Sequence, residues 1–179
     1  IRYKTFANTR SSRQLLATWF SKTRMNPFLI FERYGNIAIS NFVNTLKMSN
    51  IISDKLCIGS AYDAFSKEFM TETPTAVLNC AIEVDRSPYA TAYMHLPLYD
   101  NTKQEIISYT DSANKFITSQ LENGNRVLVH CYAGVSRAPS IVIAYLKSLG
   151  LPFYDAFDLV KRKRPIIDPN IGFIYQLLE

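Results

Sequence analysis

Short apolar runs alternate along the chain with longer stretches in which apolar residues recur at helical spacing. The runs at residues 76–78 and 127–129 lie between polar neighbours, which predicts buried strands, the first extending over residues 74–80. The helical spacing predicts helices at residues 61–70, 105–121, 138–149 and 154–163. A last helix is expected to begin after Asn170, whose side chain can cap it.

Two shorter signals complete the predicted elements. Ile51-Ile52 and Leu56-Cys57-Ile58 flank the polar residues Ser53-Asp54-Lys55, which predicts a β-hairpin. Tyr93 and His95 are assigned to a further strand. Strands that alternate with helices are typical of the α/β class, so we predict a domain with a central, mostly parallel sheet flanked by helices.

The junction between the strand at 127–129 and the following helix is the candidate functional site. Residues 130–137 read His-Cys-Tyr-Ala-Gly-Val-Ser-Arg and predict a tight turn whose backbone N–H groups lack sheet or helix partners. Such a turn at a helix N-terminus binds anions, because the N–H groups and the helix dipole both favour negative charge. Gly134 allows a backbone conformation or a close approach that a side chain would obstruct.

Three side chains of this turn suit phosphoryl chemistry. The N–H dipoles and the Arg137 guanidinium would stabilise the thiolate of Cys131 and make it a nucleophile. The rigid fork of Arg137 can hold two oxygens of a phosphoryl group. Ser136 can donate a hydrogen bond to the sulfur when the sulfur becomes a leaving group. Buried cysteines are usually inert, but the strand, the glycine and the helix together favour the functional interpretation.

The pattern His-Cys-x5-Arg, with Ser before the Arg, resembles the phosphate-binding loop of cysteine-based protein tyrosine phosphatases. Residues 138–146, Ala-Pro-Ser-Ile-Val-Ile-Ala-Tyr-Leu, are similar to the dual-specificity branch, and the resemblance covers residues 50–179. It implies a protein tyrosine phosphatase-like fold, a cysteinyl-phosphate mechanism, and neither a metal nor a cofactor. It also implies that His130 supports the loop and that phosphate is bound by Tyr132, Ala133, Gly134, Val135, Ser136 and Arg137.

A proton donor for the leaving oxygen is expected on a second loop. Phosphate ester cleavage needs such a donor, and a carboxylic acid on a mobile loop commonly supplies it. Asp100, in the context Pro-Leu-Tyr-Asp, matches the family position of this acid. Glu105 competes with it, although an acid there also suits the first turn of a helix. Asp100 is the predicted general acid, and in the second step the base that activates water.

Three further residues each have two interpretations. Cys80, at the end of a predicted strand, is either a packing residue or a thiol that traps oxidised Cys131 as a disulfide, a pattern that some family members show. Arg86 is either a solvated loop residue or a substrate contact. Arg164 lies near a family arginine that contacts a second phosphate, but the basic run at residues 161–164 also suits a solvated helix C-terminus.

Charge divides the chain into two parts. Residues 1–50 contain eight basic residues and one acidic residue, 8 − 1 = +7, against +5 for all 179 residues. We therefore predict a basic, helical N-terminal extension at residues 1–49 and a catalytic domain at residues 50–179. Packing on the domain is the favoured use of the extension, because it carries many aromatic residues. The alternatives are docking an acidic groove of a partner such as a kinase, or the remainder of a transit peptide.

Composition narrows the compartment and the partners. The three cysteines show neither disulfide nor zinc spacing, which indicates a reducing, intracellular compartment, cytoplasmic or nuclear, with organelle targeting left open. No apolar run approaches the ~18 residues of a membrane span, and no binding motif accompanies the basic charge, so nucleic acid is not expected.

The side chains of the loop also bear on the substrate. Tyr132, Ala133 and Val135 are uncharged, which favours a phosphorylated protein over an inositol lipid. We predict hydrolysis of phosphotyrosine and also of phosphoserine or phosphothreonine. The alternatives are a pseudophosphatase that binds phosphoproteins without cleaving them, and a phosphatase of a non-protein substrate such as an inositol lipid.

Overall fold

The computed structural model describes residues 48–71 and 75–179. The basic residues of the predicted helical extension all lie within residues 1–47, outside the described residues, so the extension remains a prediction. Within the described part the elements follow in this order: β1 Ser49–Ile52, β2 Leu56–Gly59, α1 Ala61–Phe65, α2 Lys67–Thr71, β3 Thr75–Asn79, β4 Ala92–His95, α3 Ile107–Glu122, β5 Arg126–His130, α4 Arg137–Ser148, α5 Phe153–Lys163 and α6 Ile171–Leu178.

The described strands form one sheet in the order β1-β2-β5-β3-β4. The pairs β2–β5, β5–β3 and β3–β4 are parallel, and β1 adds an antiparallel edge through the predicted hairpin. This confirms the predicted α/β fold with a mostly parallel sheet. His130 pairs in register with Gly59 on one side and with Asn79 on the other. The loop that follows β5 therefore emerges from the centre of the sheet, at the carboxyl ends of three strands.

Both faces of the sheet are covered. Val127 and Val129 belong to the larger core cluster, which includes Ile141 and other residues of α4. The intervening Leu128 belongs to a smaller cluster with Ala64 and residues of the neighbouring strands. Because successive side chains of a strand point to opposite faces, the apolar run of β5, residues 127–129, is buried on both faces of the sheet.

Helix α4 is the central helix of the core. Its first ten residues, Arg137 to Leu146, are all buried. A helix with no polar face is typical of a protein core or of a membrane span. Because α4 has only 12 residues, it is too short to span a membrane and is a core helix. Among the helices of residues 48–71 and 75–179, none is long and apolar enough to cross a membrane.

The segment predicted as one helix at residues 61–70 is two short helices. Ser60 and Asp63 form a capping box that starts α1, and Ser66 then adopts an extended conformation with ψ of 113°. Ser66 N–H donates to the Asp63 carbonyl, and the Ser66 carbonyl accepts from Met70 N–H. The break therefore leaves both backbone groups of Ser66 hydrogen-bonded, which removes most of its cost.

Candidate active site

The loop between β5 and α4, residues 131–136, presents its N–H groups as an anion cradle. Among the described residues, no backbone N–H of residues 133–136 donates to another protein atom. The carbonyl oxygens of the loop instead accept hydrogen bonds from residues outside the loop. Tyr132 O accepts from Ala61 N–H, Gly134 O from Arg164 Nε, and Val135 O from Asp168 N–H. Because the surrounding chain holds the carbonyls, the unpaired N–H groups remain for a ligand.

Gly134 makes this backbone path possible. Its φ is +67°, in the left-handed region that side chains disfavour. A Cβ at this position would lie 2.4 Å from the Gly59 carbonyl oxygen and 2.8 Å from Arg164 Nη2. The loop is thus pressed against the end of β2 and against a buried arginine, and only glycine fits there.

Cys131 is the first residue of the loop and is 2% exposed. The preceding His130 is fully buried, and its Nδ1 lies 3.2 Å from the Cys131 carbonyl oxygen. Burial lowers the pKa of His130 to about 4, and the charge of Arg137 acts in the same direction. His130 is therefore a neutral imidazole near pH 7, which suits the predicted supporting role rather than proton transfer.

The guanidinium of Arg137 is bound on one edge and unoccupied on the other. Nη1 donates to Glu83 Oε2 at 2.6 Å and to Leu98 O at 3.0 Å, and Nη2 donates to Glu83 Oε1 at 2.7 Å. Nε is buried and has no hydrogen-bond partner among the described residues. Burial alone would lower the pKa of Arg137, but the bonds to Glu83 and the charges of Cys131 and Asp100 outweigh it. The net shift is upward, so the guanidinium stays charged.

Asp100 reaches this loop across 36 positions of sequence. Its Oδ1 accepts from Ser136 Oγ at 2.7 Å and from Asn170 Nδ2 at 2.9 Å. Its Oδ2 lies 3.8 Å from Arg137 Nε, beyond hydrogen-bonding distance. One carboxylate oxygen is thus anchored, and the other faces the unoccupied edge of the guanidinium.

Glu105, the competing acid, serves a different purpose. Its carboxylate accepts from the Ser108 hydroxyl and, at 2.8 Å, from Ser108 N–H at the start of α3. These bonds lower the pKa of Glu105. Glu105 thus bonds the start of α3, whereas Asp100 contacts the phosphate loop through Ser136.

Comparison with known proteins places the chain in a family. The family described as dual specificity phosphatase, catalytic domain, matches residues 56–179. The chain belongs to the dual specificity phosphatase family. Rat dual specificity protein phosphatase 5 is 39% identical over 129 residues, which are 69% of this chain and 33% of that protein. Mouse protein phosphatase Slingshot homolog 1 is 37% identical over 133 residues, 73% of this chain and 13% of that protein.

Solved structures agree with this family assignment. The crystal structure of DUSP15 matches with a TM-score of 0.69 at 27% identity, covering 74% of this chain and 86% of that chain. Human tyrosine phosphatase-like serine/threonine/tyrosine-interacting protein matches with a TM-score of 0.65 at 29% identity, covering 74% and 93%. The chain spans a third or less of the length of the curated relatives described above.

Cys80 lies beside the end of β5, close to Cys131. It directly follows β3, its N–H donates to the His130 carbonyl at 2.7 Å, and it is fully buried. Burial, and secondarily the charge of Cys131, raise the pKa of the Cys80 thiol well above its ordinary value. A redox role remains a hypothesis. A Cys80–Cys131 disulfide recovered after mild peroxide would support it, and failure to form one would leave Cys80 as a packing residue.

The two arginines predicted as secondary contacts lie in different environments. Arg86 is exposed, and its guanidinium lies 5.2 Å from the centroid of the Tyr93 ring. Arg164 is fully buried, with Nε 2.8 Å from Gly134 O and Nη1 3.2 Å from Ser49 Oγ. Arg164 therefore supports the loop from beneath. This position does not favour a direct contact with a second phosphate.

Two residues of the site were not predicted as such. The sequence predicts no role for Glu83, although its carboxylate orients Arg137. Asn170 was expected to cap α6, and it does so by accepting from Phe173 N–H at 3.1 Å. Asn170 also bonds Asp100, and its N–H donates to Ser136 Oγ at 3.1 Å. None of these three long-range contacts has a signal in local sequence, because the partners lie 34 or more positions apart.

Proposed function

We propose that this chain hydrolyses phosphate monoesters on proteins, at tyrosine and also at serine or threonine, through a cysteinyl-phosphate intermediate. The observation that carries the proposal is the buried Arg137 Nε without a partner among the described residues. A buried donor left unpaired costs about 1–3 kcal/mol, and a phosphoryl oxygen bound in the cradle would satisfy it. Family membership supports the same chemistry.

In the first step, the Cys131 thiolate attacks phosphorus in line with the ester oxygen. The S–P bond forms, the P–O bond breaks, and its electron pair goes to the leaving oxygen. Asp100, protonated at Oδ2, gives that oxygen a proton. Arg137 and the N–H groups of the loop hold the equatorial oxygens, where negative charge is concentrated.

In the second step, water attacks the cysteinyl phosphate. Ionised Asp100 takes a proton from this water, the S–P bond breaks, and the thiolate of Cys131 leaves. The Ser136 hydroxyl, which donates to Asp100 Oδ1 in the resting site, can turn to the sulfur as negative charge develops there. Inorganic phosphate is the product, and the thiolate and the carboxylic acid are both restored.

The exposed side chains of the phosphate loop bear on the class of substrate. Tyr132, Ala133 and Val135 are partly exposed and carry no charge. A polyanionic lipid headgroup would gain from extra cations at these positions, whereas a single phosphorylated side chain needs only Arg137 and the N–H groups. We therefore propose a phosphorylated protein as the substrate.

Hydrolysis of an aryl phosphate across a range of pH, with a metal chelator present, tests the mechanism. We expect turnover by the wild type, none by Cys131→Ser, and a loss of about 10²–10⁴-fold in Asp100→Asn, together with one limb of its pH profile. Asp111→Asn, an exposed aspartate paired with Lys115, is the matched control and keeps wild-type activity. A folded wild type without turnover that binds phosphopeptides would favour the pseudophosphatase alternative.

Substrate class is tested separately with phosphotyrosine and phosphoserine peptides against a phosphoinositide. We expect the highest kcat/KM on phosphotyrosine peptide. Preference for the phosphoinositide would overturn the assignment to protein.

The basic N-terminal extension is proposed to dock an acidic surface of a phosphorylated partner such as a kinase. Its net charge of 8 − 1 = +7 over residues 1–50 supports this. Deleting residues 1–44 should lower kcat/KM on an intact phosphorylated kinase and leave it unchanged on a short phosphopeptide. Equal effects on both substrates would indicate that the extension packs on the domain instead.

We propose a reducing, intracellular compartment for the protein, because its three cysteines show neither disulfide nor zinc spacing.

A further inference from the structure

We propose that helix α6 holds the acid loop, residues 100–106, in its working position, and that Asn170 and Gln176 are positioning residues for Asp100. The inference rests on the proposed function, because it concerns how the proton donor is placed. Neither residue touches the phosphate cradle through its own side chain. Both act on the loop that carries the acid.

Asn170 anchors the front of the acid loop. Its Nδ2 donates to Asp100 Oδ1 at 2.9 Å, while its Oδ1 accepts from Phe173 N–H. The amide is thus fixed by the first turn of α6 and cannot turn without giving up the helix cap. Because its backbone N–H also bonds Ser136 Oγ, Asn170 sets the position of Asp100 relative to the phosphate loop.

Gln176 anchors the back of the same loop. Its Oε1 accepts from Ile106 N–H at 2.7 Å, and its Nε2 donates to the Gln104 carbonyl at 2.9 Å. One side chain thereby satisfies a donor and an acceptor of the acid-loop backbone across about seventy positions of sequence. Such paired bonds fix both the distance and the orientation of the loop relative to α6.

Gly172 allows α6 to lie against the middle of the acid loop. A Cβ on Gly172 would be 2.4 Å from the Thr102 carbonyl oxygen and 2.7 Å from Thr102 Cα. These are backbone atoms, which cannot move aside as the end of a side chain can. The helix therefore meets the loop at its front, middle and back, through Asn170, Gly172 and Gln176.

The expected consequence is specific to proton transfer. General acid catalysis depends on placement, and a displacement of about 1 Å can cost as much as 10²-fold in rate. A leaving group that departs as a stable anion does not need the proton. Loosening the acid loop should therefore slow hydrolysis of phenyl phosphate much more than hydrolysis of dinitrophenyl phosphate. A general loss of folded protein would lower both rates by the same factor.

The first test is kcat/KM of the full chain carrying Gln176→Ala on these two esters, since kcat/KM reports the steps up to formation of the cysteinyl phosphate. We expect a loss of about tenfold or more on phenyl phosphate and less than about threefold on dinitrophenyl phosphate, with the inhibition constant of inorganic phosphate unchanged. Gln120→Ala is the matched control, because Gln120 bonds Asn125 at the far end of α3. An equal loss on both esters would overturn the proposal.

A second pair of variants covers the case in which Gln176→Ala folds poorly. Gly172→Ala should give the same ester selectivity by pushing Thr102 away. In an Asp100→Asn background, Gly172→Ala should produce no further loss on phenyl phosphate, because the acid that α6 positions is already gone. Full additivity would contradict the inference. A wild type that hydrolyses neither ester would instead refute the proposed function, so the two failures are distinguishable.

Discussion

The carboxylate of Glu83 accepts two hydrogen bonds, of 2.6 Å and 2.7 Å, from the guanidinium of Arg137, which lies 54 positions away in the sequence. Two consequences follow from this geometry. The plane of the guanidinium is fixed before any ligand arrives, and Nε is left facing the site. The anchoring carboxylate also balances the buried positive charge, so Arg137 can remain charged inside the domain.

Glu83→Gln should lower kcat/KM about tenfold and weaken the inhibition constant of inorganic phosphate by a similar factor. A neutral amide accepts only one of the two bonds, which costs about 1–2 kcal/mol after allowance for the partial exposure of Glu83. Steady-state kinetics with phosphate as inhibitor measures both effects, and Glu122→Gln at the end of α3 is the control. Tighter phosphate binding in Glu83→Gln would mean that the carboxylate competes with substrate rather than orienting Arg137.

Ser136→Ala should slow the second chemical step more than the first. The hydroxyl that would stabilise the departing thiolate is lost, and a hydrogen bond to a charged group contributes about 1.5–3 kcal/mol. We expect kcat to fall about tenfold or more, kcat/KM to fall less, and rapid mixing to reveal a burst of released phenol. Ser148→Ala, whose hydroxyl bonds the Tyr145 carbonyl, should show no burst. A steady-state rate without a burst in Ser136→Ala would assign Ser136 to the placement of Asp100 alone.

His130 should make the stability of the fold depend on pH. The unfolded chain binds a proton on this imidazole below its ordinary pKa of 6.5, whereas burial lowers the pKa in the fold to about 4. Stability is therefore fully present above pH 6.5 and is lost as pH falls toward 4, by about 3 kcal/mol. Denaturant unfolding from pH 7 to pH 4 should show this loss in the wild type. His130→Gln should lose less by about that amount, and parallel curves for the two proteins would rule out the buried neutral imidazole.

Gly134→Ala should abolish phosphate binding, and this loss should exceed what the lower stability of the variant explains. The added Cβ would meet the Gly59 carbonyl oxygen at 2.4 Å, so the loop must move. Gly124→Ala is a matched control, because Gly124 has a similar positive φ of +78° but nothing within 4 Å of the added Cβ. Backbone strain should cost both variants about 1 kcal/mol of unfolding free energy. The overlap with Gly59 should cost Gly134→Ala more, and only Gly134→Ala should lose inhibition by phosphate. Normal inhibition in Gly134→Ala would contradict the tight packing at this glycine.

Arg164→Lys distinguishes support of the loop from contact with a second phosphate. A lysine cannot reproduce the fork that holds Gly134 O and Ser49 Oγ, so the cradle should loosen. We expect kcat/KM to fall by the same factor on singly and doubly phosphorylated peptides. Arg162→Lys, on the exposed side of α5, should change neither. A selective loss on the doubly phosphorylated peptide would support the interpretation of Arg164 as a contact to a second phosphate.

Sequence patterns predicted the parts of the fold that depend on local order. The hairpin around Ser53, the apolar β5 strand and the cap at Asn170 all follow from neighbouring residues, and each is present. The helix break at Ser66 was missed, because serine has no strong preference there and tertiary contacts decide. Local sequence patterns predict a helix, strand or turn well when few alternative conformations compete for the same residues.

The site was predictable only in part, for a related reason. Cys131, Arg137 and Ser136 are contiguous, so one motif names them all. Asp100 was placed by its resemblance to a family position, and the structure brings it to Ser136. The partners Glu83 and Gln176 are single polar residues in unremarkable contexts, and only the folded chain brings them to Arg137 and to the acid loop. Long-range side-chain pairs of this kind leave no periodic trace in a sequence.

The central position of β5 also bears on local unfolding. This strand is hydrogen-bonded on both sides, so we expect Cys131 and the cradle to belong to the part of the domain that opens last. In the proposed arrangement the acid loop depends instead on the short helix α6, whose buried residues are Phe173 and Leu177. Transient undocking of that helix would leave a molecule that captures phosphate but has no proton to deliver. Under the proposed mechanism, the active form and a form that only binds phosphate would be two populations of one chain, with a ratio set by the free energy of docking α6.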